Sequence, residues 1–197
     1  MKIINHRVNT ASGLQSISDQ NGVEIDVRDF GKDLVLSHDA FCGGELFEDF
    51  LRNYHKSTLI INVKSEGIEK EVFRLLKKFQ IEDFFLLDCS FSAISKMILD
   101  GEKRFAARFS EIESINSVFA LTGKADWVWI DYFSLNPFNP DVFIELKKRN
   151  YRICICSPDL LGWNDLVEPY VAFFLNNKIR PDAVCVKMAY QKYWEIL

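Results

Sequence analysis

Short strand-like and helix-like segments alternate through the sequence, and this alternation restricts the fold more than any other feature. The predicted strands are apolar runs at residues 2–5, 23–28, 58–64, 84–88, 104–109, 127–131, 151–156 and 182–187. Strands that alternate with helices predict a parallel sheet, and eight parallel strands are the number that closes a barrel. We therefore expect an α/β fold, a compact (β/α)8 TIM barrel. With 197 residues, its loops must be shorter than in the typical barrel of about 250.

Helical periodicity follows most of the predicted strands. The predicted helices cover residues 11–20, 45–54, 68–79, 93–99, 112–121, 142–149 and part of 163–176. The clearest is amphipathic, with Ile68, Val72, Leu75 and Phe79 on one face. A doubly wound open sheet is the alternative architecture. The sequence has no glycine-rich phosphate loop after its first strand, which argues against the nucleotide-binding form of that sheet.

Composition narrows the class of protein. A composition of 48% hydrophobic and 26% charged residues is ordinary for a globular protein. No Pro/Gly/Ser-rich linker divides the chain, so we predict one domain over residues 1–197. A formal net charge of −4 without a Lys/Arg cluster argues against nucleic acid as a partner. No apolar run predicts a signal peptide or stable membrane insertion. The five cysteines lack zinc-like spacing, so we expect reduced thiols and a cytoplasmic protein of undetermined oligomeric state.

Residues 22–41 contain the most informative pattern. Glu24 and Asp26 alternate with apolar residues on a predicted strand, and a second short strand at 34–37 ends in His38-Asp39. Carboxylate oxygens suit a hard divalent cation, and a nearby imidazole suits proton transfer. A solvated strand face could show the same alternation, but the combination with His38 favours a site.

Other polar residues follow the remaining strands. The cations Arg7, Lys64 and Arg108 suggest an anionic ligand, because guanidinium and ammonium groups pair with phosphate. The alternative is that they pair with the carboxylates of the site itself. Asp88, Asp131 and Ser157 are interpreted as ordinary polar strand ends, and His55 as a surface residue in a loop; these four need no role in a site.

Three motifs in order carry a family resemblance. His6-Arg7 follows the first strand, Glu24-Ile25-Asp26 lies on the second, and His38-Asp39 comes next. Together they resemble the phospholipase C-like phosphodiesterases, especially the glycerophosphodiester phosphodiesterases. The resemblance implies hydrolysis of a small glycerol- or sugar-phosphodiester. It also implies that His6 and His38 are an acid–base pair, that Glu24 and Asp26 bind a divalent metal, and that Arg7 and Lys64 contact phosphate.

One position departs from the family pattern. The family usually has Glu-x-Lys on the third strand, and this sequence has Asn62-Val63-Lys64. An amide oxygen can ligate Mg²⁺ or Ca²⁺ without bringing a charge, so we expect Asn62 to be a third ligand of a weakly bound metal. Glu66, just beyond this strand, is a possible substitute for the missing carboxylate.

Two other functions remain open at this stage. One is a metal-independent phosphodiester lyase in which Lys64 or Arg108 takes the place of the metal. The other is an inactive barrel that binds a phosphorylated glycan or a protein partner. The presence of both histidines and both carboxylates favours an enzyme with a small-molecule phosphodiester substrate.

Overall fold

A computed structural model describes residues 1–134 and 138–197 of the chain. This part contains ten strands: β1 Lys2–Asn5, β2 Gly22–Phe30, β3 Asp33–Leu36, β4 Glu45–Leu46, β5 Leu59–Val63, β6 Phe84–Leu87, β7 Ala106–Phe109, β8 Trp127–Ile130, β9 Arg152–Cys156 and β10 Ala183–Val186. It also contains eight α-helices: α1 Ala11–Leu14, α2 Phe47–Arg52, α3 Glu69–Lys78, α4 Phe91–Leu99, α5 Ile115–Ala120, α6 Pro140–Lys148, α7 Val167–Asn176 and α8 Gln191–Trp194. Three 3₁₀ turns cover Pro158–Leu161, Asn164–Leu166 and Met188–Tyr190.

Eight of the strands form a ring of parallel neighbours. Their order around it is β1, β2, β5, β6, β7, β8, β9 and β10, and β10 pairs with β1. The β6–β7 junction is the weakest, because these strands meet at an isolated parallel bridge between Leu86 and Phe105. Leu86 N–H also donates to the Arg104 carbonyl at 2.9 Å. The predicted TIM barrel is confirmed, and the open doubly wound sheet is not the architecture.

Two short strands extend β2 beyond the barrel. β3 pairs antiparallel with β2, and β4 pairs antiparallel with β3 through Val35↔Leu46 and Leu36↔Glu45. The prediction of a helix from residue 45 is therefore wrong for its first two residues, because their backbone groups pair with β3 instead. Helix α2 begins at Phe47 and buries Phe47, Phe50 and Leu51, as the apolar spacing predicts.

The period-two alternation of the strands separates two apolar layers. Side chains such as Ile4, Ile60 and Cys185 fill the barrel interior, where Phe85 and Trp127 stack with ring centroids 4.5 Å apart. Intervening residues on the same strands pack against the surrounding helices. The interior is therefore a packed core, as expected for this fold, and polar chemistry is confined to its ends.

The end of the chain is anchored to the barrel. Trp194 of α8 is fully buried, and its Nε1–H donates to Ser157 Oγ at 2.9 Å. The five cysteines, all in the described part, have free thiols, and burial raises the pKa of Cys154, Cys156 and Cys185 well above the usual range. Within the described residues, no helix has the length and apolar character required to cross a membrane.

The close approach of β1, β2 and β5 depends on a missing side chain. A Cβ atom on Gly22 would lie 2.2 Å from the Thr58 carbonyl oxygen and 2.5 Å from Ile4 Cδ1. We expect Gly22→Ala to lower the free energy of unfolding by about 3 kcal/mol, because the backbone must shift to admit the methyl group. Gly43→Ala is the matched control, since its Cβ would meet the Phe30 ring at an ordinary 3.6 Å. Equal urea midpoints for both variants would contradict this account.

Candidate active site

Two adjacent strands place three oxygen-bearing side chains at the carboxyl end of the barrel. Glu24 and Asp26 alternate onto the same face of β2, and Asn62 of β5 is the register partner of Asp26. Register partners on parallel strands project to the same face, so the three side chains are neighbours. Their exposed fractions are 1%, 0% and 9% for Glu24, Asp26 and Asn62. Two carboxylates are thus buried together at one strand end.

The loop after β1 holds both carboxylates through its backbone and one amide side chain. Arg7, in the left-handed region with φ 54°, donates its N–H to Glu24 Oε2 at 2.8 Å. Asn9 Nδ2 donates to Asp26 Oδ2 at 2.9 Å, and Asn9 Oδ1 accepts the Asp26 N–H at 2.8 Å. Asn9 is a residue of this cluster that the sequence did not predict. Its position three residues after His6, beyond a strand end, was the available signal.

Three oxygens of this group accept no hydrogen bond, although Lys64 Nζ lies 3.4 Å from one of them, Asp26 Oδ1. Glu24 Oε1, Asp26 Oδ1 and Asn62 Oδ1 are buried without a hydrogen bond from any described residue. An all-oxygen set suits Mg²⁺ or Ca²⁺, so the residues fit the cation that the sequence motifs imply. Residues 1–134 and 138–197 contain no group of three His, Cys, Asp or Glu side chains able to hold a metal. An ion here would therefore depend on the Asn62 amide as its third protein ligand.

Burial shifts two pKa values at this site in opposite directions. Desolvation, followed by the charge of Asp26, raises the pKa of Glu24 to about 7. Desolvation, followed by the charge of Arg7, lowers the pKa of His6 to about 4. The two residues are close, with His6 Nε2 3.8 Å from Glu24 Oε2. At neutral pH, His6 is therefore an uncharged imidazole able to accept a proton.

His38 lies just beyond β3, beside the same strand end. The preceding residue, Ser37, donates its N–H to the Asp26 carbonyl at 3.0 Å. Arg28 holds this turn, since its Nε and Nη2 donate to the carbonyls of Ser37 and His38 at 3.1 and 3.0 Å. The His38 side chain is 41% exposed, and its Nδ1 lies 2.7 Å from Asp39 Oδ1. Asp39 therefore favours a proton on Nδ1.

Lys64 and Arg7 border the carboxylates. Lys64 Nζ is 3.4 Å from Asp26 Oδ1 and 3.7 Å from Asp88 Oδ2. Arg7 Nε is 3.8 Å from Asp26 Oδ2, and the Arg7 side chain is 47% exposed. None of these three distances is that of a good hydrogen bond, so both cations keep capacity for another anion.

Arg108 has a different environment. Its guanidinium contacts Asp88, Glu113 Oε1 at 2.7 Å and Asp131 Oδ2 at 2.9 Å. The carboxylate-pairing alternative considered from the sequence thus accounts for its three contacts. A substrate contact from Arg108 stays a prediction, and it would require one of these pairs to open.

The remaining polar residues have structural partners. Glu66 accepts hydrogen bonds from Ser90, at 2.8 Å, and from Ser92, so it is engaged at the start of α4 and does not replace a carboxylate at Asn62. Asp131 pairs with Arg108, and Ser157 accepts from Trp194. His55 is exposed on the surface, as predicted, and its Nε2 lies 3.4 Å from Asp19 Oδ1.

Comparison with known proteins identifies relatives in fold. No family model and no curated protein matches the sequence. The solved glycerophosphodiester phosphodiesterase of Thermotoga maritima matches with a TM-score of 0.70 and 16% identity, over 99% of this chain and 97% of that one. A glycerophosphodiester phosphodiesterase of Agrobacterium tumefaciens matches with a TM-score of 0.69 and 16% identity, over 98% and 99%. A glycerophosphoryl diester phosphodiesterase of Parabacteroides distasonis matches with a TM-score of 0.64 and 14% identity, over 96% and 84%. The chain shares the TIM-barrel fold of these enzymes, as the sequence motifs predicted.

The buried Glu24 carboxyl should make the stability of the metal-free protein depend on pH. Its folded pKa of about 7 lies above the ordinary 4.5, so its stabilising contribution is fully present below about pH 4.5 and is lost as the pH rises through 7. Glu24→Gln removes this loss. It should therefore raise the free energy of unfolding, relative to wild type, more at about pH 8 than at about pH 5.5. Urea unfolding in EDTA measures both values.

Glu66→Gln is the control for this experiment. Hydrogen bonds from Ser92 and Ser90 lower the pKa of Glu66 from the ordinary 4.5, so its contribution to stability is constant above about pH 4.5 and is lost only as the pH falls further. Glu66→Gln should therefore change the free energy of unfolding by the same amount at about pH 5.5 and about pH 8. A Glu24→Gln effect that is identical at the two pH values would show that the Glu24 carboxyl does not titrate in this range.

Proposed function

We propose that the protein is a metal-assisted phosphodiester hydrolase that acts on a small glycerol- or sugar-phosphodiester. The observation that carries the proposal is the set of three buried oxygens, on Glu24, Asp26 and Asn62, that accept no hydrogen bond from the described residues. Asp26 Oδ1 has a charged neighbour, Lys64 Nζ, at the long distance of 3.4 Å. The three oxygens lie beside a neutral histidine and two incompletely paired cations. A purely structural cluster would have its oxygens hydrogen-bonded, because an unpartnered buried polar atom costs free energy.

The residues divide into a metal-holding group and a phosphate-holding group. Glu24 Oε1, Asp26 Oδ1 and Asn62 Oδ1 would hold Mg²⁺ or Ca²⁺, and Asn9 keeps Asp26 oriented through its two hydrogen bonds. The cation, when bound, supplies stabilisation of negative charge on a phosphoryl oxygen. Arg7 and Lys64 then bind the remaining phosphoryl oxygens, which keeps the phosphorus next to His6.

The two histidines perform the proton transfers. His6 is uncharged at neutral pH, so it takes the proton of a substrate hydroxyl vicinal to the ester oxygen. That hydroxyl oxygen forms a bond to phosphorus, and the bond from phosphorus to the departing alcohol oxygen breaks. His38, whose Nδ1 contacts Asp39, acts as the general acid and donates a proton to the departing oxygen. The product is a cyclic phosphate, which water opens with the two roles reversed.

One observation supports a second candidate function. Lys64 Nζ lies 3.4 Å from Asp26 Oδ1, one of the three proposed metal ligands. An ammonium group at this place could stabilise phosphoryl charge without a metal, as in the metal-independent lyase considered above. That enzyme would stop at the cyclic phosphate and would keep its activity in strong chelators, whereas the proposed hydrolase would lose it.

Each proposed catalytic histidine can be tested by substitution. We expect His6→Gln and His38→Gln each to lower kcat for a chromogenic phosphodiester by about 10²–10⁴, the usual contribution of one proton transfer. His55→Gln is the matched control, because His55 is the third histidine and lies on the surface. If His6→Gln and His38→Gln retain the wild-type kcat, the His/His pair is wrong. Absence of turnover in the wild type, with phosphate still bound, would favour the inactive binding barrel.

The amide at position 62 should limit metal affinity. Glu24 and Asp26 together neutralise a divalent ion, and a third carboxylate would add attraction in a partly buried cleft. We therefore expect Asn62→Glu to tighten Mg²⁺ or Ca²⁺ binding and Asn62→Ala to weaken it. Calorimetric titration of both variants and of the wild type, with circular dichroism to confirm the fold, gives the comparison. Identical affinities for the three proteins would mean that residue 62 is not a ligand.

A further inference from the structure

Charges of alternating sign lie on or directly after five consecutive barrel strands. Asp26 lies within β2 and Arg108 within β7, and the residues that directly follow β5, β6 and β8 are Lys64, Asp88 and Asp131. Each successive pair is within ion-pair distance, with separations of 3.4 Å for Asp26–Lys64, 3.7 Å for Lys64–Asp88 and 2.9 Å for Arg108–Asp131. The Asp88–Arg108 pair is also in direct contact. Each cation of this row is thus flanked by carboxylates.

Asp88 occupies the central place in this row. Its two carboxylate oxygens engage different cations, Oδ1 with Arg108 and Oδ2 with Lys64. The backbone of Asp88 is in the left-handed region with φ 60°, which is uncommon for a residue other than glycine and better tolerated by Asp and Asn. Its side chain is 29% exposed, so it borders the open mouth. A fixed negative charge therefore lies beside the cation proposed to bind phosphate.

We propose that Asp88 is a specificity-determining residue that makes the site select phosphodiesters over phosphomonoesters. The inference rests on the proposed function, since it assumes that Lys64 binds a phosphoryl group. Asp88 acts through charge on the bound anion and takes no part in the proton transfers.

The two ligand classes differ in charge. A phosphodiester carries one negative charge at neutral pH, whereas a phosphomonoester carries about 1.5 to 2, because its second pKa is about 6. An anion bound to Lys64 meets Asp26 on one side and Asp88 on the other. The additional charge of the monoester increases the repulsion from Asp88, which is large in a partly buried cleft where the effective dielectric constant is about 20.

This selection would serve the proposed reaction. Hydrolysis of a diester yields a monoester, and this product carries more negative charge than the substrate it replaces in the site. Repulsion from Asp88 weakens the binding of that product and leaves the site free for the next diester.

The direct test measures binding and needs no turnover. Calorimetric titrations at about pH 8 with saturating Mg²⁺ would use dimethyl phosphate as the monoanion and methyl phosphate as the ligand near two charges. Asp88→Asn keeps the shape and the left-handed backbone but removes the charge. We expect it to tighten methyl phosphate binding about tenfold or more and to change dimethyl phosphate binding several-fold less. Asp88→Gly, also compatible with φ 60°, is the second variant in case the first fails to fold.

Glu113→Gln is the matched control. Glu113 also pairs with Arg108, at 2.7 Å, and its substitution removes the same charge. It should leave the preference between the two ligands close to that of wild type, because no ion pair joins Glu113 to Lys64 among the described residues. An equal change in preference for Glu113→Gln and Asp88→Asn would overturn the assignment to Asp88.

The remaining outcomes separate this inference from the proposed function. If wild type binds dimethyl phosphate and Asp88→Asn shifts both affinities by the same factor, Asp88 does not set specificity and the proposed function stands. If neither ligand binds to any of the proteins in the presence of Mg²⁺, the phosphate site itself is wrong and both proposals fall.

Discussion

Glu24 and Asp26 are two carboxylates buried on the same face of β2, and the other polar contacts of the site compensate for their burial. Glu24 and Asp26 are almost completely removed from solvent, where neighbouring negative charges are costly. The structure offsets part of that cost with the backbone N–H of Arg7, the Asn9 amide and the charge of Lys64. The remainder appears in the pKa of Glu24, raised to about 7, so that this carboxyl is partly protonated at neutral pH without a cation. A divalent ion would remove that residual cost.

The barrel makes this arrangement possible because every parallel strand ends at the same mouth. Residues distant in the sequence, such as His6, Lys64 and Asp88, follow apolar strands whose carboxyl ends meet there. The same strands enclose a packed apolar interior, in which Phe85 stacks on Trp127. The β2–β3 extension brings the backbone of Ser37, next to His38 in the sequence, into contact with β2 through the hydrogen bond from Ser37 N–H to the Asp26 carbonyl. Local sequence order and barrel closure together assemble one cluster.

The fold was largely predictable because the strands are short, apolar and separated by amphipathic helices. The first strand has the predicted bounds at Lys2–Asn5, and α3 buries the predicted face that contains Val72 and Leu75. The failures occur where tertiary pairing overrides local pattern. Glu45 and Leu46 fit a helical spacing, but their backbone groups pair with β3 instead. No local property of the sequence indicates that pairing.

The contacts among the candidate site residues were less predictable than the fold. The motifs identified Glu24 and Asp26, and Asn62 was inferred from its place before Lys64. The role of Asn9 depends on a loop that turns back onto Asp26, which periodicity does not encode. Arg108 was expected to bind a phosphate, but it pairs with Asp88 and Glu113. In the sequence, each of these two acidic residues resembles an ordinary polar position. Side-chain pairing across strands depends on register, and register follows from the closed barrel.

Asn62 affects the metal-free site and the site with the proposed cation in opposite directions. A carboxylate at this position would place a third negative charge beside Asp26, its register partner, and would raise the pKa of the already shifted Glu24 further. The metal-free protein would then be destabilised near neutral pH or would carry an additional proton that a cation must displace. An amide contributes an oxygen without that charge, so it would lower the cost of the metal-free state and weaken the attraction for the proposed cation. Because Lys64 already supplies a positive charge 3.4 Å from Asp26, the cluster stays close to electrical balance with Asn62 in place.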